Sequence, residues 1–334
     1  MKAAFIERTG SPDVIRFADL PDPVPGPGEV LVRVRACAVN PIDTYIRAGT
    51  VAMPLVFPFI VGCDLAGAVV AVGAEVDRFK PGDRVWGSNQ GLLGRQGSFS
   101  ELAAVDPRWL YPTPASVTDR VAAAGALVGI TAHLGLVSHA TLAAGETIFV
   151  SGGSGGVGSM VVQIAKRLGA RVIATATGAE ACDRVAALGA DHVIDRRNPG
   201  GGGTIGARVK ELAPRGVDVH WEALREPDFD AVVDTLADGG RIVLMAGRDA
   251  RPAFPVGPFY VKQARLMGFV MFKAPWQAQA AAAVDLNRWM ESGSLRPQVG
   301  MVLPLAEAAE AHRLQEDGTI GRTGRLAGKI VVEP

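Results

Sequence analysis

The order of apolar and polar residues predicts a β-rich first third of the chain. Over residues 29–40, apolar and polar side chains alternate with the period of two that is typical of a half-buried strand. The segments 66–73 and 79–87 predict two further short strands, and turns rich in Pro and Gly separate them. We therefore expect residues 1–120 to form an antiparallel, barrel-like unit.

From Val121 onward the pattern changes to short apolar runs that alternate with helical segments. The runs are 147–151, 171–176, 192–195, 217–222 and 241–247. Strands that are apolar on both faces are typical of a parallel sheet covered by helices on each side. A last uncharged strand over 266–272, a long helix over 276–293 and a closing strand over 329–332 complete the prediction.

Composition and charge narrow the protein class. The 334 residues are 48% hydrophobic and 20% charged, which is typical of a globular chain. Lys+Arg and Asp+Glu balance at 34 each without a basic block, so nucleic acid is not expected as a main partner. The N-terminus lacks a signal-peptide pattern, and the uncharged stretch 121–140 is interpreted as a buried helix and not as a membrane span. We expect a cytoplasmic enzyme without a membrane association.

The most specific motif is a glycine-rich turn. Gly153, Gly155 and Gly158 form the pattern GxGxxG directly after a predicted strand and at the start of a predicted helix. In this context Gly153 permits the tight turn, Gly155 lets the backbone approach a pyrophosphate, and Gly158 permits close packing of helix on strand. The motif predicts a dinucleotide site.

The end of the second strand of this α/β region predicts which dinucleotide is used. Residues 175–178 carry no acid where an NAD enzyme has Asp or Glu for the ribose 2′-hydroxyl, so NADP(H) is favoured over NAD(H). Arg196 and Arg197 follow the third strand and are either a solvated surface pair or cations for the 2′-phosphate. Our hypothesis is that Arg196 is the principal cation, with Arg197 as its substitute.

Four segments carry a resemblance to a known family: NPIDTYIRAG (40–49), GCDLAGAVVAVG (62–73), PGDRVWG (81–87) and SGGSGGVG (151–158). Together they resemble the medium-chain dehydrogenase/reductase superfamily, and most closely its zinc-free quinone oxidoreductase (zeta-crystallin-like) branch. The fold implied is α/β: a GroES-like, β-rich catalytic domain from residues 1–120 and 276–334 around an inserted Rossmann domain, a doubly wound parallel sheet, from residues 121–275. The resemblance also implies a homodimer, in which two copies of the uncharged strand 266–272 pair across a two-fold axis.

The resemblance also implies a set of functional residues. Asn40 and Tyr45 would lie beside the nicotinamide as hydrogen-bond donors, although Asn40 could equally be a turn residue and Tyr45 an ordinary aromatic. Arg47 could steer an anionic acceptor or pair with Asp43. The residues implied to bind the cofactor are Tyr45, Ser154, Gly155, Gly156, Val157, Thr175, Thr177, Arg196, Ala246, Gly247, Phe269, Val270 and Met271.

No metal is expected. Zinc-dependent relatives carry Cys at the position of Asn40, His at that of Cys63 and Cys near Leu127, and this chain retains too few ligands for a catalytic zinc. Without a Lewis acid, hydride transfer is best suited to acceptors that are already electron-poor. We therefore expect an NADPH-dependent oxidoreductase that reduces soluble quinones. An NADPH-dependent alkenal or enone reductase, and a non-enzymatic, crystallin-like NADPH-binding protein, remain as alternatives.

Overall fold

A computed structural model describes residues 1–200, 203–320 and 327–334. The chain forms two compact units. The first consists of Met1–Ile130 and Ala274–Pro334, and the second of Thr131–Lys273.

The strands and helices are numbered in chain order. The strands are β1 Lys2–Ile6, β2 Arg16–Asp19, β3 Val30–Ala38, β4 Phe59–Ile60, β5 Asp64–Val72, β6 Arg84–Gly87, β7 Leu102–Val105, β8 Leu110–Pro112, β9 Thr147–Ser151, β10 Arg171–Ala176, β11 His192–Asp195, β12 Val217–Glu222, β13 Leu236–Leu244, β14 Arg265–Gly268, β15 Val299–Pro304 and β16 Lys329–Glu333. The α-helices are α1 Pro41–Ala48, α2 Asp119–His133, α3 Gly156–Arg167, α4 Ala179–Ala187, α5 Ile205–Leu212, α6 Phe229–Asp234, α7 Val256–Val261, α8 Trp276–Glu291 and α9 Ala308–Thr319.

The first unit is built on two sheets. A three-stranded sheet has the order β2-β1-β4, and a seven-stranded sheet has the order β15-β16-β3-β5-β6-β8 with β7 also paired to β3. The alternation predicted for β3 is confirmed, because its apolar positions are buried while Arg33 and Arg35 are exposed. Strand β16, from the far end of the chain, pairs antiparallel with β3 and places Val331 opposite Ala38.

The second unit is a single parallel sheet with helices, in the order β11-β10-β9-β12-β13-β14. The order reverses between β9 and β12, which is the switch point at which doubly wound folds form a ligand crevice. The predicted α/β class with a Rossmann sheet is confirmed. The runs 147–151, 171–176, 192–195 and 217–222 are strands with the predicted bounds, since strands buried on both faces read as continuous apolar runs.

Three boundaries differ from expectation. Strand β13 begins at Leu236, and β14 ends at Gly268, so most of the segment 266–272 lies beyond the strand. The domain boundary was expected between residues 120 and 121, but the first unit extends to Ile130. Residues 121–130 belong to the first unit because Gly125 packs close to Pro297 and the Leu127 N–H donates to Asp64.

The uncharged stretch 121–140 is helical, as predicted. It comprises α2 and a π-helical turn over Leu134–His139. Among the described residues, this is the one helix long and apolar enough to cross a membrane, and 78% of its most apolar stretch is buried within the protein. Such burial is typical of a core helix.

Candidate active site

The glycine turn lies between β9 and α3 at the carboxyl edge of the parallel sheet. Gly152 adopts φ 88°, and Gly155 is the N-cap of α3 with an extended backbone. The first free N–H groups of this twelve-residue helix therefore face the loop, where the positive end of the helix dipole favours a phosphate.

The structure gives Gly153 a different role from the one predicted, and it agrees with the roles predicted for Gly155 and Gly158. The residue with the left-handed backbone is Gly152 and not Gly153, which instead lies close to β10: a Cβ at Gly153 would stand 3.0 Å from Ala174 Cβ. A Cβ at Gly158 would stand 2.1 Å from the Gly152 carbonyl oxygen, so the helix approaches the turn as predicted. Gly155 is exposed, and the nearest atom to its missing Cβ is 3.4 Å away. This open backbone fits a dinucleotide pyrophosphate.

Thr175 supports the glycine turn from below. Its side chain is fully buried, and its Oγ1 accepts a hydrogen bond of 2.9 Å from the Gly152 N–H. Its carbonyl oxygen accepts a second, of 2.8 Å, from the Gly153 N–H. The expectation that Thr175 contacts the cofactor is therefore corrected: it shapes the loop, whereas Thr177, two residues on, is exposed.

A guanidinium lies at the end of β10, where the ribose of a dinucleotide is expected. The Arg197 Nη1 atom is 3.4 Å from the position that a Cβ on Gly178 would occupy, and no atom of Arg196 lies within 4 Å of it. Asp195 accepts hydrogen bonds from the Gly178 and Arg197 N–H groups at 2.9 and 3.0 Å. These backbone hydrogen bonds hold the pKa of Asp195 below its usual value, and the Arg197 charge lowers it further. Arg197, and not Arg196 as hypothesised, is the cation beside Gly178.

The remaining cofactor residues predicted in this unit lie at the same edge of the sheet. The Ser154–Val157 segment forms the glycine turn and the start of α3, and Ala246 and Gly247 follow β13. Phe269, Val270 and Met271 follow β14. The Phe269 ring stacks on His139 with centroids 4.3 Å apart, whereas Met271 is buried. Contact of these residues with a cofactor stays a prediction.

In the first unit, the structure places Asn40 and Tyr45 on one short helix but gives Asn40 a different role. Asn40 precedes α1 and is fully buried. Its Nδ2 group donates to the Ala38 carbonyl at 3.2 Å and to Asp64 Oδ2 at 2.8 Å, so both N–H donors are used within the protein. The expectation that Asn40 donates to the acceptor is corrected for this reason. Tyr45 is half-buried and keeps its candidate role.

Neither function considered for Arg47 agrees with the structure. Its side chain is buried, pairs with Glu316 on α9, and donates to the Gly10 carbonyl at 2.5 Å. Asp43 instead accepts a hydrogen bond of 2.8 Å from the Asn40 N–H. Arg47 therefore joins α1 to α9 and is not available to steer an acceptor.

A cluster of buried ionisable groups surrounds Asn40, and the sequence pattern did not reveal it. Lys329, at the start of β16, donates to the Val39 carbonyl and to Asn40 Oδ1. Burial raises the pKa of Asp64 and lowers that of Lys329, and each charge opposes the shift of the other. Burial also raises the pKa of Asp43 to about 7 and that of the Cys63 thiol well above its usual value. A lysine before an apolar run is typical of a solvated strand end, so the pattern around Lys329 did not indicate a buried charge.

Comparisons with known proteins identify two family domains in this chain. Residues 26–115 match the family described as "Alcohol dehydrogenase GroES-like domain", and residues 156–287 match "Zinc-binding dehydrogenase". The chain is 32% identical over 327 residues to the human quinone oxidoreductase, covering 98% of this chain and 97% of that protein. The chain belongs to the quinone oxidoreductase branch of the medium-chain dehydrogenase/reductase superfamily.

Two solved structures are similar over the whole chain. One is a mycobacterial protein complexed with NADPH, with a TM-score of 0.86, 31% identity and full coverage of both chains. The other is described as an NAD-dependent alcohol dehydrogenase, with a TM-score of 0.87, 31% identity and full coverage of both chains. As a member of the quinone oxidoreductase branch, the chain is an oxidoreductase that acts on a small molecule with a nicotinamide cofactor. The open glycine turn fits that cofactor.

The zinc that one family description mentions does not fit the residues present. Asn40, Cys63 and Leu127 occupy the three positions that hold the ligands in zinc-dependent members. Both N–H groups of the Asn40 side chain donate within the protein, and its oxygen accepts from Lys329. The Leu127 side chain has no atom that can bind a metal. The third, Cys63, has a thiol whose raised pKa disfavours the thiolate that binds metal. A buried ammonium beside this set also repels a divalent cation.

Proposed function

We propose that this oxidoreductase is an NADPH-dependent quinone reductase that acts on soluble quinones without zinc. The observation that carries the cofactor assignment is the Arg197 guanidinium beside Gly178, at an end of β10 that has no acidic residue. The solved neighbours include one complex with NADPH and one protein described as NAD-dependent, so the proposal of NADPH rests on the residues of this chain.

Arg197 is suited to a 2′-phosphate on charge and geometry. The phosphate carries about two negative charges, and a charge-assisted hydrogen bond contributes about 1.5–3 kcal/mol. This energy corresponds to roughly 10- to 100-fold in affinity. Asp195 does not oppose the phosphate strongly, because its carboxylate is bound by two backbone N–H groups and lies close to the Arg197 charge.

The test compares the two neighbouring arginines. Arg197→Ala should raise the NADPH dissociation constant at least about tenfold and leave that of NADH nearly unchanged. Arg196→Ala is the matched control and should change both by less than about threefold. A larger effect of Arg196→Ala would return the role to Arg196, and a wild-type preference for NADH would refute the NADP(H) assignment.

The buried cluster around Asn40 favours acceptors that need no Lewis acid. When bound, the nicotinamide would supply a hydride, and a quinone then takes one proton to become the hydroquinone. The negative charge that develops on a quinone is delocalised, so a hydrogen-bond donor and correct positioning are sufficient. Since Asn40 has no N–H to spare, Tyr45 is the remaining candidate donor.

Steady-state assays with 9,10-phenanthrenequinone and with 2-alkenals at one NADPH concentration test the acceptor class. We expect a higher kcat/KM for the quinone, and a higher value for the alkenals would favour the alkenal or enone reductase. Tyr45→Phe should lower kcat with the preferred acceptor, by an amount on the order of the loss of one oxyanion donor, about a hundredfold.

We propose a homodimer that pairs through β14. This strand lies at the edge of its sheet, and Leu266 on it is 41% exposed. An unprotected strand edge is an aggregation hazard unless it is covered, and a two-fold axis allows two copies to pair. Light scattering should give twice the chain mass of 34.8 kDa at micromolar concentration, and a monomer mass would refute the dimer.

A further inference from the structure

Lys329 is a charged side chain enclosed in the core of the first unit, where charged groups are rare. The residue is 5% exposed, and its ammonium donates to the Val39 carbonyl and to Asn40 Oδ1. It reaches this position because β16 pairs antiparallel with β3, which brings the start of β16 beside the residues that follow β3. An ammonium without charge compensation is strongly disfavoured in such an environment.

The compensating charge is Asp64, and the Asn40 amide connects the two. Asp64 is fully buried, and its Oδ2 atom accepts hydrogen bonds from Asn40 Nδ2 at 2.8 Å and from the Leu127 N–H at 3.3 Å. Asn40 thus accepts from the cation with its oxygen and donates to the anion with its nitrogen. This arrangement fixes both the side-chain amide and the residue from which α1 begins.

The same cluster also contains the positions that hold zinc in metal-dependent members of the superfamily. Asn40 bridges the two charges, Leu127 contributes only its backbone N–H, and Cys63 directly precedes Asp64. The cluster therefore holds one buried ammonium group and two buried carboxyl groups, those of Asp64 and Asp43. Asp43, the fourth residue of the cluster, closes the first turn of α1 by accepting from the Asn40 N–H.

We propose that Lys329 is the buried cation that positions Asn40 and helix α1, and through them Tyr45. Lys329 is a positioning residue, because its contacts are with the residues that begin α1. The part of the proposal that concerns turnover rests on the proposed function, in which Tyr45 serves as the donor.

The variants separate positioning from packing. Lys329→Met keeps the volume of the side chain and removes the charge, which leaves Asp64 uncompensated. The double variant Lys329→Met/Asp64→Asn removes both charges and should fold even if the single variant does not. Lys2→Met is the matched control, since Lys2 lies in the same unit but is exposed and pairs with Asp19 at the surface.

The first measurement, ¹⁹F NMR of labelled tyrosines, does not depend on enzymatic activity. The chain has three tyrosines, at positions 45, 111 and 260, so labelling with 3-fluorotyrosine yields three ¹⁹F resonances, of which Tyr45→Phe identifies one. We expect the Tyr45 resonance to move in Lys329→Met and in the double variant, while those of Tyr111 and Tyr260 stay in place. Unmoved Tyr45 resonances in the folded variants would overturn the proposal.

The second readout is kinetic, with NADPH and 9,10-phenanthrenequinone. Displacement of a catalytic group by about 1 Å can cost on the order of a hundredfold in rate, so kcat should fall by about tenfold or more. The NADPH dissociation constant should change by a smaller factor than kcat, because Tyr45 is only one of the residues implied to bind the cofactor and the glycine turn belongs to the other unit. A kcat within about twofold of wild type in both variants would overturn the proposal. A wild type inactive toward quinones would instead refute the proposed function, and the ¹⁹F readout would still decide the role of Lys329.

The third readout is the denaturation midpoint in urea. If Lys329 compensates Asp64, the double variant should be more stable than Lys329→Met, because the carboxylate that is bound to the Asn40 amide no longer has to be buried without its cation. If the effects of Lys329→Met and Asp64→Asn on stability simply add, the two charges are not coupled and the proposal is wrong.

Discussion

His312 makes the stability of the first unit depend on pH. The residue lies on α9 and is fully buried, and its ring meets that of Phe99 edge to face with centroids 5.9 Å apart. Within the described part of the chain, neither ring nitrogen has a hydrogen-bond partner. Burial, reinforced by the charge of Arg47, lowers the pKa of His312 from the ordinary 6.5 to about 3. The folded protein therefore keeps this ring neutral at a pH where the unfolded chain protonates it.

The sign and size of the effect follow from this difference in pKa. Between pH 6.5 and about 3 the unfolded state binds one proton more than the folded state, so stability falls as the pH falls through this range. One pKa unit corresponds to about 1.4 kcal/mol, which makes the loss about 2 kcal/mol at pH 5 and ~4–5 kcal/mol near pH 3. The value at pH 5 depends mainly on the unfolded state, because the folded protein binds almost no proton there.

The assay compares wild type with His312→Leu in urea unfolding at pH 7 and pH 5. Leu is apolar and of similar volume, and no hydrogen bond is lost because the ring makes none with the described residues. Tryptophan fluorescence reports mainly on the first unit, which contains four of the five tryptophans. Between pH 7 and pH 5 the wild type should lose about 2 kcal/mol more of its unfolding free energy than the variant.

The control is His139→Leu, which replaces a histidine of the second unit and keeps His312, so the loss of stability that His312 causes should remain. Other titrating groups contribute equally to wild type and variants, so they cancel in the comparison. If wild type and His312→Leu lose the same free energy between the two pH values, the buried neutral ring is not the cause and the reasoning is wrong.

Three further predictions concern the glycine turn and the metal. Thr175→Val leaves the Gly152 N–H without its acceptor and should lower the free energy of unfolding by about 1–3 kcal/mol. Thr175→Ser keeps a hydroxyl group and should retain most of that stability. Thermal unfolding of the two variants, with and without NADPH, measures the difference. Gly158→Ala places a Cβ 2.1 Å from the Gly152 oxygen and should destabilise the second unit, whereas Gly155→Ala should fold normally and lose NADPH affinity. An unchanged NADPH affinity in Gly155→Ala would show that the pyrophosphate does not bind at Gly155. Elemental analysis should give well under one zinc per chain, and chelators should leave quinone reduction unchanged.

The amino-acid sequence alone was sufficient to predict the second unit and its glycine turn. Its strands are buried on both faces, so each reads as a short apolar run, and four of the five predicted runs have the observed bounds. The spacing of the glycines likewise reflects local requirements, namely a turn and a close approach of helix to strand. The absence of a catalytic zinc, which the residues at positions 40, 63 and 127 predict, stays a prediction for the elemental analysis.

Tertiary structure decided the contacts that these local patterns do not determine. Asn40 and Lys329 are 289 residues apart, and they meet only because β16 pairs with β3 in one register. The two neighbouring arginines after β11 have the same charge, and only the direction of the loop decides that Arg197 lies beside Gly178. Hydrophobic periodicity shows which face of an element is buried, but the partner of a buried polar group depends on which distant element covers it. That is why the sequence predicted the position of the glycine turn but not the contacts of Asn40, Arg47 and Thr175.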